Sequence, residues 1–155
     1  MPNTRQKVII FDIDNTLAYI DKSNGNFRRN YDWSKVNEDK PIPFMCYLLS
    51  RLYTLDNKKR YIGKIKIIYS TGRDESARNK TLEWIDENIG FPVDSKDLYM
   101  KPLGSYEQST ITKHRVYTEL SKNYDVELVI DDDPKVISMF TAMGVNCLQP
   151  LFVNL

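Results

Sequence analysis

Three short apolar runs separated by amphipathic stretches limit what this chain can fold into. They are KVIIFD at 7–12, KIKIIYST at 64–71 and ELVIDD at 127–132, all rich in Val or Ile and all ending in polar residues. Near-continuous apolar runs of that length read as parallel strands covered by helices on both faces. Weaker strand signals lie at 97–100 and 145–148. Between the strands, Met45, Leu48, Leu49, Leu52 and Leu55 recur at helical spacing behind Pro41 and Pro43. Leu82, Ile85 and Ile89 do the same, and Gly90 followed by Pro92 stops that helix. Tyr117, Leu120 and Tyr124 form a third stripe. Asp133-Pro134 reads as an N-cap and first helical position, opening a helix through Phe140 that ends at Gly144. Strands alternating with helices predict an α/β fold, a three-layer α/β/α sandwich on a mostly parallel sheet.

A length of 155 residues fits a single domain over 1–155. A chain of that size buries about 70% of its unfolded surface, enough for a real core. Residues 19–41 form a polar insertion without clear periodicity, expected to be a loop or flap. With 22 basic and 21 acidic residues the net charge is +1, which excludes a uniformly basic nucleic-acid coat. Two cysteines and a single histidine exclude a disulfide scaffold and a Cys/His zinc site. A reducing, cytoplasmic setting is expected. The apolar run at 8–11 is too short for a signal segment or a membrane span.

The strand ends carry the chemistry. The first delivers Asp12-Ile13-Asp14-Asn15-Thr16, the second Thr71-Gly72-Arg73 and the third Asp131-Asp132-Asp133. Ligands bind beyond the carboxyl ends of the strands in open α/β sheets. Several carboxylates, a hydroxyl and an arginine at one rim need a cation, and oxygen-only ligands point to Mg²⁺. A carboxylate cluster around Mg²⁺ suits phosphoryl chemistry.

These residues resemble a known family. FDIDNTLA is similar to the DxDxT motif of the haloacid dehalogenase superfamily of phosphohydrolases, Thr71 to its second-motif hydroxyl, Lys113 to its lysine and Asp131-Asp132 to its acidic pair. YSTGR, LYMKPLG, the stretch 110–113 and VELVIDDDPKVISMF, in that order, resemble the 3′-phosphatase domain of bacteriophage polynucleotide kinases. The likeness covers roughly residues 7–148. It implies a haloacid-dehalogenase-like sheet with little or no cap, and a Mg²⁺-dependent phosphomonoesterase acting through an aspartyl-phosphate. Asp12 is then the nucleophile, and Asp14 the general acid and base, with its pKa raised by neighbouring carboxylates. Thr71 and Lys113 hold phosphoryl oxygens. Asp12, the Asp14 carbonyl, Asp131 and Asp132 make the metal site. Thr16, Gly72, Arg73, Arg28 and Arg29 are the expected substrate contacts, and a DNA or RNA 3′-end is the expected substrate.

Two departures stand out. Where the family follows its strand with Gly-Asp-x-Arg, the run here is Met100-Lys101-Pro102-Leu103-Gly104-Ser105-Tyr106, without the acidic and arginine positions, and Asn15 replaces the commoner glycine of DxDGT. No G-x-x-x-x-G-K-[ST] loop occurs, so 5′-phosphorylation is not expected. A nucleotidase or small-molecule phosphatase is the alternative, because an open site also admits a free nucleotide or a sugar phosphate. A phospho-receiver module is more remote, since it needs its acceptor aspartate after a middle strand. Other residues have plainer readings: Asp133 as a cap, Lys58-Lys59-Arg60 as a solvated turn, His114 at the surface, Cys46 in the core and Cys147 in a strand. Arg28-Arg29 with Tyr31 and Trp33 could clamp a phosphate and stack a base, or simply pack as a loop.

Overall fold

The computed structural model describes residues 5–23, 32–55 and 65–152. A five-stranded sheet runs in the order β5-β4-β1-β6-β7. Its strands are β1 (Lys7–Phe11), β4 (Lys66–Asp74), β5 (Leu98–Lys101), β6 (Asp125–Ile130) and β7 (Cys147–Leu148), with every adjacent pair parallel. A separate antiparallel ribbon joins β2 (Ala18–Tyr19) to β3 (Lys40–Pro41).

Helices α1 (Pro43–Leu55), α2 (Arg78–Ile89), α3 (Ser109–Leu120) and α4 (Pro134–Ala142) cover both faces. Alternation along each strand divides the core in two. Ile9, Phe11, Ile67 and Tyr69 pack with Met45 and Leu49 of α1 and with Trp84 and Ile85 of α2. Val8, Ile10, Ile68 and Val129 pack with Val116 and Leu120 of α3 and with Val136 and Phe140 of α4. The result is the three-layer sandwich expected from the sequence.

Local signals set the element ends. Pro43 opens α1, where its missing N–H costs nothing. Gly90 closes α2 in the left-handed region at φ 81°. Asp133 caps α4, its side chain accepting the Lys135 N–H at 2.8 Å. Two elements depart from expectation. β4 runs on to Asp74, because a register shift after Ser70 lets Asp74 pair with Lys101 of β5. The buried face of α3 is Thr112, Lys113, Val116 and Leu120, and Tyr124 lies past the helix end.

The insertion is not shapeless at its neck. Ala18 pairs with Pro41 and Tyr19 with Lys40, and a 3-10 turn at Val36–Glu38 sends Val36 into the core. Arg28, Arg29 and Lys58-Lys59-Arg60 lie outside the described residues. No helix among the described residues is long and apolar enough to cross a membrane.

Candidate active site

β1 is the central strand, flanked by β4 and β6, and Asp12 follows its last residue. The Asp12 N–H donates to the Ile130 carbonyl at 2.9 Å, which locks the DxD turn beside the end of β6. Asn15 adopts φ 59°, a conformation that asparagine tolerates far better than most residues. That explains why asparagine serves where glycine is commoner. The turn closes with Leu17 and Ala18 N–H groups on the Ile13 carbonyl.

Asp12 is buried at the floor of this turn. Its Oδ2 accepts the Thr16 hydroxyl at 3.0 Å and its Oδ1 accepts Lys113 Nζ at 2.7 Å. Lys113 reaches there from the first turns of α3 and also donates to Asp131 Oδ2. The second Asp131 oxygen accepts the Asp133 N–H at 3.0 Å. One carboxylate oxygen from each of Asp12, Asp131 and Asp132 lies within 4.8 Å of the other two.

Three carboxylates around one ammonium leave an excess of negative charge. Burial, opposed by Lys113 and reinforced by Asp131 and Asp14, pushes Asp12 up to about 7. Burial together with Asp12 pushes Asp132 up to about 7 as well. Burial alone would lower the Lys113 pKa, but Asp12 and Asp131 outweigh it and keep the ammonium charged. One ammonium therefore does not balance the three carboxylates, and the groups left to ligate a cation are oxygens throughout. That set fits a hard divalent cation.

Asp14 stands apart from this cluster. Arg73 grips it with two donors, Nε to Oδ2 at 3.0 Å and Nη2 to Oδ1 at 2.8 Å, and the Thr71 hydroxyl donates to Oδ2 at 3.2 Å. The fully buried guanidinium also reaches Asp39 Oδ2 at 3.0 Å and Thr81 Oγ1 at 3.1 Å. Asp14 was expected to be governed by neighbouring carboxylates; its partners among the described contacts include a cation and a hydroxyl. Arg73 and Thr71 are likewise turned toward Asp14.

A cavity of about 480 Å³ opens over these groups. Asp12, Asp14, Lys113 and Asp132 line it together with Gly72. A Cβ at position 72 would come within 2.9 Å of Ser109 Oγ, so glycine lets the end of β4 approach α3 this closely. Thr16 is fully buried beneath, behind Asp12.

Two groups in the site went unrecognised in the sequence. Lys101, the last residue of β5, is buried and lines the cavity. Burial, with Lys113 nearby, lowers its pKa, while Glu107 and Asp74 oppose that. Its place at a strand end beside β4 was the available signal. Asp39 gave no signal, because only folding brings the neck of the insertion to Arg73.

The family model described as the polynucleotide kinase PNKP phosphatase domain matches residues 6–152. Among solved structures, the Pnkp1/Rnl/Hen1 RNA repair complex contains a chain 21% identical to this one, with a TM-score of 0.77. That match covers 100% of this chain and 45% of the other, so this chain spans less than half of its neighbour's length. The class C acid phosphatase from Bacillus anthracis with tungstate bound is 14% identical, with a TM-score of 0.62 over 92% of this chain and 63% of that one. At these identities the two structures establish a shared fold.

Proposed function

The chain belongs to the polynucleotide kinase PNKP phosphatase-domain family and is a phosphatase of the haloacid dehalogenase type; from that premise we propose that it is a Mg²⁺-dependent polynucleotide 3′-phosphatase. The observation that carries the chemistry is the junction of Asp12, Lys113, Asp131 and Asp132 beneath one cavity at the carboxyl edge of the sheet. The repair complex that contains a similar chain supports a nucleic-acid end as substrate.

Asp12 Oδ attacks the phosphorus of the 3′-phosphate, forming an aspartyl-phosphate as the bond to the ribose oxygen breaks. Asp14 gives its proton to that leaving oxygen. A water then attacks the aspartyl-phosphate, Asp14 takes back a proton, and inorganic phosphate leaves with Asp12 restored. A negative charge beside a carboxylate favours its protonated form, so an arriving phosphate ester prepares Asp14 to donate. Arg73, held by Asp39 and Thr81, aims Asp14 rather than touching the substrate.

Lys113 and Lys101 offset charge on the phosphoryl oxygens. Asp12, Asp132 and the Asp14 carbonyl would hold Mg²⁺, which when bound offsets charge on the transferring group. Asp131 has both oxygens engaged by Lys113 and the Asp133 N–H, so it orients the lysine. The deciding experiment measures phosphate release from a 3′-phosphorylated oligonucleotide with Mg²⁺ and with chelator. Turnover that needs the metal and disappears in Asp12→Asn is expected. Metal-independent turnover, or full activity in Asp12→Asn, would sink the mechanism.

A further inference from the structure

The cavity extends well past the acidic cluster. A phosphoryl group fills only a small part of about 480 Å³, a volume within the range of small-molecule sites. Beside the acidic residues its lining also includes Ala18, Tyr19, Ile20 and Trp33. None of these four is charged, and two are aromatic.

Both rings are held by ordered structure. Tyr19 belongs to β2 and pairs with Lys40 across the ribbon. Trp33 leads into the turn that buries Val36, and both aromatic residues pack against the core of the α1–α2 face. Neither residue is fully buried, and both are among those that line the cavity. One cavity therefore combines anion-accepting, cation-demanding groups with an uncharged, partly aromatic set of residues.

A nucleotide combines the same two characters: an anionic phosphate at one end and a planar π-face at the other. A sugar phosphate offers no such face, and a bare phosphate has no use for the wall. Aromatic side chains bind bases by stacking, with little regard for base identity. Resting on the phosphatase reading above, we propose that Tyr19 and Trp33 form a platform for the base of the nucleotide that carries the scissile phosphate. The platform makes the enzyme selective for base-bearing ends without making it selective for sequence. A nucleic-acid end and a free nucleoside 3′-monophosphate present the same chemistry to it.

The test compares kcat/KM on two 3′-phosphorylated oligonucleotides, one ending in a normal nucleotide and one in an abasic residue. Nucleoside 3′-monophosphate, assayed alongside, separates a polymer from a mononucleotide as the source of the base. Wild type should favour the base-bearing end by about 10-fold or more, as loss of one stacked base implies. Trp33→Leu and Tyr19→Leu should bring that ratio toward unity, while Trp33→Phe keeps most of it. A wild-type ratio near unity, or equal losses on both ends in the leucine variants, overturns the platform.

Binding gives a second reading that does not depend on turnover. The chain has two tryptophans, and Trp84 is fully buried. Quenching of the Trp33 emission, taken as the wild-type signal minus that of Trp33→Phe, is expected with nucleoside 3′-monophosphate and not with inorganic phosphate. If no oligonucleotide is hydrolysed, the phosphatase reading falls, yet this base-dependent quench still supports the platform. Its absence overturns the platform whatever the turnover.

Discussion

Lys113 carries the electrostatics of the site, because its single ammonium answers both Asp12 and Asp131. Removing one partner of a buried ion pair leaves uncompensated charge and costs about 3–5 kcal/mol. Lys113→Met is therefore expected to lower unfolding free energy by that order, read by urea denaturation, and to abolish measurable turnover. Arg73 acts at one remove. Arg73→Lys loses the two-pronged hold on Asp14, so kcat should fall by about 10-fold or more with little change in KM, as expected for lost transition-state interactions. A change confined to KM would assign Arg73 to substrate binding instead.

Protonation at Asp12 and Asp132 has a definite sign. Both carboxyls sit at about 7, above the ordinary aspartate value of roughly 3.9. Between those limits the native state holds protons that the unfolded chain has released, so their contribution to stability declines as pH rises. Without divalent ions, thermal melts should fall from pH 5 to 7 and level off above. Asp132→Asn should flatten that slope, and a rising midpoint over the same interval would contradict the assignment.

At the scale of elements, short local devices define the boundaries. The Asp133 side chain satisfies the Lys135 N–H at the start of α4, and Asp133→Ala should cost about 1 kcal/mol. The turn after β1 depends on position 15 instead. At φ 59° an alanine side chain is strained, so Asn15→Ala should destabilise by about 1 kcal/mol while Asn15→Gly does not. Equal stability of the two variants, by chemical denaturation, would show that the turn relaxes. The neck of the insertion is also an element: the Trp84 Nε1–H donates to the Asp39 carbonyl at 2.7 Å, while the Asp39 carboxylate holds Arg73. One short segment thereby ties α2 to the turn after β1.

For the whole molecule, metal binding and stability are linked. A cation held by Asp12 and Asp132 would bind the folded chain only, because those residues come together from distant segments. At about 100 times its dissociation constant such a ligand adds about 2.7 kcal/mol. Mg²⁺ should raise the melting midpoint of wild type, and Asp132→Asn should remove most of the rise. An equal rise in both proteins would place the ion elsewhere.

Much of this was legible before folding. The Val- and Ile-rich runs, the helical stripes and the Asp133-Pro134 cap each depend on neighbours a few residues away, so their outcome is written locally. The aspartates were legible too, because a residue that follows a strand emerges at the carboxyl rim wherever that strand sits. Partner choice was not. Arg73 meets Asp14 across 59 residues of chain and Asp39 across 34, and no local pattern distinguishes those contacts from a role toward substrate. The same holds for Lys101 and for the presence of both Tyr19 and Trp33 in the lining of one cavity. Sequence determined which groups reach the rim; tertiary packing alone decided which of them neutralise one another and which face open space, because that depends on distances set by the whole sheet.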